Sequence, residues 1–461
     1  MKRNVWRMIV AMAAVLIFGL YGSGWADAGK AANIKETGQV SEPERTDSNP
    51  ELEHIKRRLD EVERQVKENP SEVKDLVSMK EALDRFTIGG GITGILQGTF
   101  ENDKNPPSSQ MKPGVVEDGF QRRNVTDGSY SMDLEIGVKL DKYGRAFVHL
   151  EGGQGEGVGR QLYGFVCREH GEAKPIFTGV NADALGEDGT LTIAEAYWEI
   201  PLFSEKLFVT LGKLDPVAYF DGNAVANDET TQFMADIFVN NISVDWPDYT
   251  PGLRVTINPD DLIEINLGVL SGDSDFADLF NQVFALGELN LKPKLFGKFQ
   301  GNYRLYYWAN GRHHMTWENA EAKERSKGFG LSFDQQVTPG VTLFARYGIQ
   351  DDDIKYDCEE FNLRIKDFWS IGGEIKGALW ERENDALGLA YGQARPMDKL
   401  KKHMKAAGAD PSEESHLEIY YSLAIGEHVS ISPDFQIIFN PGGNDKADTV
   451  YVAGIRAQLS F

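Results

Sequence analysis

The chain has 461 residues, a formal net charge of −23 and 41% hydrophobic residues. Its acidic excess argues against nucleic-acid binding, because contacts to phosphate require lysine and arginine. Beyond the N-terminus, no apolar run reaches the roughly 20 residues that a membrane helix needs. A transmembrane β-barrel would leave no such run, since half of each of its strands faces water.

Residues 1–28 have the three parts of a secretory signal peptide. These are a basic region, an apolar core and an A-x-A cleavage site, carried by Lys2, Arg3 and Arg7, by residues 8–21, and by residues 26–28. We expect the mature protein to begin near Gly29 in an oxidising compartment. Cys167 and Cys358 could pair there, or they could be two unrelated loop thiols.

Residues 29–50 are polar and poor in aromatics, which predicts a flexible linker. Residues 51–85 then show a heptad pattern with apolar residues at both seam positions. One position holds Leu52, Leu59, Val66 and Val73, and the other holds Ile55, Val62, Leu76 and Leu83. The pattern predicts a short periplasmic α-helical coiled coil that helps the protein to oligomerise. The alternative is a single helix on the periplasmic rim of a barrel.

From residue 86 to residue 461 the apolar period changes from 3.5 to two, as in residues 131–140 and 261–270. Short turns alternate with long polar stretches, which is typical of barrels with short periplasmic turns and long external loops. We count about 16 or 17 strand candidates, and bacterial single-chain barrels close with an even number. We therefore predict an all-β fold for residues 86–461, a transmembrane antiparallel β-barrel of about 16 strands. A barrel of that size leaves an aqueous channel.

The last fifteen residues alternate in the same way and end on Phe461. Tyr451, Ala453 and Ile455 share one side of this predicted strand, and Arg456 and Gln458 lie on the other. The ending resembles the C-terminal signal of bacterial outer-membrane barrels. It indicates an outer-membrane location, with lipid as a partner and the N-terminal segment in the periplasm.

Motifs for chemistry are weak. Residues 89–94 fit G-x-G-x-x-G, but that motif needs a strand before it and a helix after it, and here the order is reversed. We find no nucleophile with a base at a recognisable spacing, so we predict no enzyme, no catalytic residue and no cofactor. His313 and His314 lack a third ligand at a suitable spacing, so we expect a pair in a loop and no metal site.

Residues 295–312 carry charges, amides and aromatics on one face of a predicted strand. The face toward the lumen holds Lys298, Gln300, Asn302, Arg304, Tyr306, Trp308 and Asn310. Sugars need this mixture, because their hydroxyls take hydrogen bonds and their C–H faces pack on aromatic rings. A generic polar wall with an interfacial aromatic girdle would have the same pattern, and the periodicity alone does not separate the two.

Three blocks of the chain resemble the carbohydrate-selective porins of the OprB type. They are residues 211–241 with the run Tyr219-Phe220-Asp221-Gly222-Asn223, residues 301–311, and residues 418–443 with Ser432-Pro433-Asp434-Phe435-Gln436. The resemblance extends over about residues 83–461. It implies a 16-stranded barrel, often a homotrimer, that passes mono- and small oligosaccharides by passive diffusion.

On this basis we predict a sugar path in the lumen. Its candidate residues are two arginine donors, one carboxylate acceptor, one amide and three stacking aromatics, namely Arg304, Arg346, Glu418, Asn302, Tyr306, Trp308 and Tyr420.

One departure from the family pattern is a strongly acidic predicted wall, formed by Asp133, Glu135, Glu151, Glu195, Glu199 and Glu264. It favours an alternative, a general or cation-preferring porin without a sugar site. A further alternative is an envelope-tethering barrel that acts through its coiled coil.

Overall fold

The computed structural model describes residues 78–80, 82–105, 123–155, 157–162, 176–181, 190–279, 281–316, 319, 321–351, 354–355, 365–406 and 408–461. The predicted signal peptide, the linker, most of the heptad segment and both cysteines lie outside these residues. The chain divides into two compact units, Met1–Thr87 and Ile88–Phe461. In the first unit, residues 78–80 and 82–83 are helical. No helix in the described part of the chain is long and apolar enough to cross a membrane.

The second unit is one closed β-sheet. Each long strand hydrogen-bonds to the next long strand along the chain, and the last strand bonds to the first, with Gly91 opposite Ser460 and Phe100 opposite Tyr451. Closure leaves no sheet edge without partners, which a membrane-spanning sheet requires.

Sixteen of the strands in the described residues form the barrel wall, which confirms the predicted number. They are β1 Phe86–Phe100, β2 Thr126–Lys139, β3 Arg145–Gln154, β4 Leu191–Leu202, β5 Leu207–Leu214, β6 Thr250–Ile257, β7 Ile263–Ser271, β8 Val283–Leu291, β10 Phe299–Thr316, β11 Glu324–Thr338, β12 Val341–Gln350, β14 Ile365–Lys376, β15 Ala386–Pro396, β16 Glu414–Ile425, β17 Val429–Phe439 and β18 Val450–Ser460. Two further strands of two residues each, β9 Lys294–Leu295 and β13 Ile354–Lys355, pair with the ends of β10.

Side chains alternate between lipid and lumen along each strand, because successive residues of a strand point to opposite faces. In β10, Leu305 and Tyr307 are 51% and 57% exposed on the outside, whereas Tyr306 and Trp308 are buried inside. The expected parity of this strand is therefore confirmed.

Many of the buried apolar residues of the barrel lie inside the lumen. Residues 215–249, which we call the pore loop, connect β5 to β6 and contain helices α1 (Pro216–Tyr219) and α2 (Asp236–Val239). Phe233 of this loop packs against Phe238 of the same loop, against Phe344 of β12 and against Tyr420 of β16. The loop thus fills part of the interior with its own hydrophobic core.

Two other connections add to this core. Phe177 in residues 176–181, between β3 and β4, lies in the same buried cluster as the pore loop. Helix α3 (Asp398–Ala406), between β15 and β16, contributes Leu400 and Met404 to that cluster. Val450 and Val452, which break the alternation of the last strand, are buried beside Val158 and Ile176. Inward-folded loops therefore account for apolar residues on the lumen side.

Because one face of each strand meets lipid and the other meets the lumen, we expect a charged substitution to destabilise the barrel on the lipid face only. Ile371 lies near the middle of β14 and is half exposed on the outer surface. We expect Ile371→Arg to destabilise the barrel by about 2–4 kcal/mol, since a charge at the bilayer midplane has that cost. Denaturant unfolding in lipid vesicles measures the change. Gln300→Arg, on the lumen face of β10, is the control, and equal losses in both variants would contradict the assignment.

Candidate functional site

The free part of the lumen is bounded on one side by the pore loop. Arg346 of β12 is 2% exposed and directs its guanidinium at this loop. It donates to the carbonyl oxygens of Phe238, Asp221 and Ala226 at 2.5, 2.9 and 3.1 Å. Its Nε lies 2.9 Å from the Asp221 carboxylate. A buried arginine that binds three main-chain carbonyls and one carboxylate fixes the position of the loop.

Glu418 of β16 binds the same loop as a hydrogen-bond acceptor, whereas Arg346 binds it as a donor. Its two carboxylate oxygens accept the backbone N–H groups of Met234 and Ala235 at 2.6 and 2.9 Å. On β18, Arg456 donates to the carbonyl of Glu229, and Gln458 donates to the hydroxyl of Thr230. The loop is therefore bonded to the wall from β12 to β18 along its length.

The three predicted stacking aromatics are also buried against this assembly. Tyr306 donates its hydroxyl to Asp221 at 2.8 Å, and Tyr420 donates to Glu374 at 2.8 Å. Trp308 is fully buried and stacks near Phe284, with ring centroids 6.5 Å apart. The observed contacts of Arg346, Glu418 and these aromatics are with the protein itself. A role as direct sugar ligands stays a prediction for all five.

Arg304 and Asn302 have a different setting. The two side chains share Asp334 of β11, with Arg304 Nη1 and Asn302 Nδ2 donating to its two oxygens at 2.8 and 2.7 Å. The Nε and Nη2 atoms of Arg304 make no hydrogen bond to the described residues. Gly222 of the pore loop lies opposite, where an added Cβ would come within 3.6 Å of both atoms. The structure thus brings Arg304 and Asn302 together at the loop and leaves one edge of the guanidinium available.

From this point a chain of polar side chains, which we call the lumen ladder, crosses the wall toward β3. Asn302 accepts from Asn290 at 3.5 Å, and Lys292 pairs with Glu264 at 2.5 Å. Asn266 then connects Glu264 to Arg254, donating to the first and accepting from the second at 3.2 and 3.1 Å.

The ladder ends with a carboxylate between two arginines. Glu199 of β4 accepts from Arg145 at 2.9 Å and lies 3.8 Å from Arg254. Arg254 also lies over the ring of Tyr219, 4.6 Å from its centroid, in a cation–π contact. Glu199 and Glu264 of the predicted acidic wall therefore each have a basic partner. Acidic and basic side chains alternate along this part of the wall.

Three of the other predicted wall carboxylates are held by neutral or weakly basic groups. Asp133 contacts His149 at 3.0 Å, and Glu195 accepts the hydroxyl of Tyr219 at 2.7 Å. Burial, with Glu195 adding to it, raises the pKa of Tyr219 well above its usual value, so this phenol remains a donor. Glu151 accepts from Tyr249 of the pore loop. This side of the lumen keeps an excess of negative charge.

The sequence did not identify Arg145, Arg254 and Asp334 as parts of the site. The signal that could have found them is cross-strand complementarity. Arg145 lies directly opposite Glu199 in the register, and Asp334 lies directly opposite Asn302. Opposite charges at facing positions stabilise a sheet pair, but finding them requires the register.

The expectation of a histidine pair in a loop was wrong. His313 and His314 lie within β10, and its side-chain alternation sends them to opposite faces. His314 is buried and contacts Asp245 at 2.9 Å, so its ring serves to hold the end of the pore loop. Among the described residues no three His, Cys, Asp or Glu side chains are arranged to hold a metal ion.

Comparisons with known proteins agree with this architecture. A family model described as "Carbohydrate-selective porin, OprB family" matches residues 123–461. Porin B of Pseudomonas aeruginosa is 25% identical over 209 residues, which are 38% of this chain and 44% of that porin, so the chain spans less than half of its length. An uncharacterized protein of Aquifex aeolicus is 24% identical over 277 residues, 60% of this chain and 71% of the relative.

Among solved structures, OprB of Pseudomonas putida has a TM-score of 0.67 with 17% identity. The match covers 83% of this chain and 96% of that chain. At this identity the likeness shows a shared fold.

The contacts of Glu418 predict that its substitution loosens the pore loop. In Glu418→Gln one of the two backbone N–H groups faces an amide nitrogen, and an unsatisfied buried donor costs about 1–3 kcal/mol. We expect faster hydrogen exchange at Met234 and Ala235 and noisier single-channel currents. Glu135→Gln, which removes an exposed lumen carboxylate, is the control. Unchanged exchange in Glu418→Gln would contradict the anchoring role.

Proposed function

Because the chain belongs to the OprB family of carbohydrate-selective porins, a family of non-enzymatic outer-membrane channels, we propose that it lets mono- and small oligosaccharides diffuse passively into the periplasm. Sugars are the permeating solutes in this proposal, and no cofactor takes part.

The available edge of Arg304 carries the proposal. Its Nε and Nη2 hydrogens are parallel and held in a rigid plane, because Asp334 fixes the other side of the guanidinium at 2.8 Å. Two parallel donors match the two oxygens of a vicinal diol. Asp334 would repel a carboxylate at the same place, which favours a neutral polyhydroxyl solute over an anion.

Asn302 supports this assignment as a second polar group beside the same edge. Its amide oxygen accepts a long bond of 3.5 Å from Asn290, which a hydroxyl could replace. Arg346, Glu418, Tyr306, Trp308 and Tyr420 would then act indirectly, by holding the loop that sets the width of the path. The alternative form of the proposal is that these five side chains contact the sugar directly.

A cation-preferring porin is the second candidate. The observation that favours it is the set of three carboxylates around His149, which belong to Asp133, Glu151 and Glu195. Negative charge on the wall of a channel raises the local concentration of cations. Both candidates can hold for one protein, since a neutral sugar does not compete for these charges.

The sugar proposal predicts how substitutions at two residues, Arg304 and Gly222, change the block of the channel by sugar. In planar bilayers, glucose or maltose at millimolar concentration should reduce the ion current of the native channel. Arg304→Met should weaken this block by about tenfold or more, since a hydrogen bond to a charged group contributes about 1.5–3 kcal/mol. Gly222→Val should have a similar effect because its side chain would cover the Arg304 edge.

Ala224→Val is the matched control, as Ala224 is exposed in the same loop. If sugars leave the native current unchanged, the sugar proposal fails. If they block the native channel and Arg304→Met equally, the proposal stands and the Arg304 site fails.

We further propose a homotrimer with residues 51–85 as a periplasmic coiled coil, a proposal that rests on the heptad pattern and the family. Deletion of residues 51–85 should then reduce trimer to monomer in native mass spectrometry while single-channel conductance stays the same. An unchanged trimer would reject the oligomerising role. A normal trimer with a weakened envelope would favour tethering instead.

A further inference from the structure

A buried polar network lies between the pore loop and the wall, away from the lumen ladder. Its members are Glu414 and His416 of β16, Gln436 of β17 and Thr178 of the segment 176–181, and all four are fully buried. The number of donors and acceptors in this network determines how many protons it must contain.

Gln436 fixes one proton of His416. The amide nitrogen of Gln436 donates to the carbonyl of Val180 at 3.1 Å and to Asp434 at 2.9 Å. A carbonyl can only accept, so this end of the amide must be nitrogen. The amide oxygen therefore faces His416 Nε2 at 3.0 Å, and His416 must carry a hydrogen on Nε2.

The hydroxyl of Thr178 then faces two acceptors. Its Oγ1 lies 2.7 Å from Glu414 Oε1 and 2.8 Å from His416 Nδ1. An ionised glutamate only accepts, and a neutral histidine with hydrogen on Nε2 only accepts through Nδ1. The hydroxyl has a single hydrogen, so it can satisfy one of these contacts. The other contact needs one additional proton, either on Nδ1 or on the carboxyl.

We propose that Glu414 and His416 share one proton through the Thr178 hydroxyl, and that this proton clamps the inner loops to the barrel wall. Thr178 joins three elements at this point. Its N–H donates to Glu414 at 2.7 Å, and its carbonyl accepts the N–H of Ile237 in α2 at 3.2 Å. Glu414 also accepts the N–H of Gly442 at 2.6 Å. The clamp therefore supports the pore loop on the side that faces the barrel wall.

The proposal gives a direction for the effect of pH. Without the shared proton, Thr178 Oγ1 and one of its two neighbours, Glu414 Oε1 or His416 Nδ1, would face each other with lone pairs across less than 3 Å. The state in which the inner loops are clamped to the wall therefore binds one proton more than the state in which they are released. By linkage, rising pH then favours release. The other charged groups around the network are Asp434 of β17, Glu418 of β16, Arg456 of β18 and Asp236, which lies against Gly179.

Magnetic resonance of the full-length protein in nanodiscs tests the proton count directly. With ¹⁵N-histidine and ¹³C-glutamate labels, Glu414→Gln and His416→Gln spectra assign the two signals. We expect hydrogen on Nε2 in the native protein, with either an imidazolium beside a carboxylate or a neutral ring beside a carboxylic acid. A bare Nε2, or a neutral ring beside a carboxylate, would overturn the proposal.

Single-channel recording tests the consequence. Native channels should show more frequent current fluctuations as the pH is raised, and Glu414→Gln should lose this dependence, because an amide has no proton that is released in this pH range. His313→Gln, which changes an exposed histidine of β10, should keep the native dependence. If Glu414→Gln also keeps it, the clamp is not controlled by this proton.

Discussion

The channel depends on the binding of a loop backbone by charged side chains of the wall. A segment that enters a barrel leaves the sheet, so its N–H and C=O groups need other partners. Arg346 supplies donors to three carbonyls, and Glu418 supplies acceptors to two N–H groups. These bonds hold the pore loop against one half of the barrel, and the opposite half is left to form the wall of the solute path.

This division also explains the electrostatics of the lumen. On the half covered by the loop, charged residues are buried and paired with backbone. On the open half, Glu199 and Glu264 are paired with Arg145, Arg254 and Lys292 across neighbouring strands. A chain of charge −23 can therefore present a path that is polar and locally balanced over part of its length. Such a surface supports the proposal of a neutral solute with many hydroxyls.

Much of the fold could be predicted from the sequence, because a period of two records directly which face of a strand meets lipid. Tyr307 and Ile455 are outside as expected, and Arg304 and Gln458 are inside. The depth of a residue and the path of the loops could not be predicted in this way. Trp308 and Tyr420 share the lumen parity with Arg304, yet the pore loop and its neighbours cover them, and no local pattern in β10 or β16 carries that information.

The closure of β1 on β18 has a consequence for how the molecule is made. Thr99 bonds in register opposite Val452, so this seam joins residues from the two ends of the barrel sequence. Contacts of such long sequence separation form slowly, because a long chain segment must lose its freedom first. The pore loop bonds both to Arg346 of β12 and to Arg456 of β18, so its full set of wall contacts exists only when both strands are in place. The last contacts of the loop therefore depend on the same strand that completes the wall.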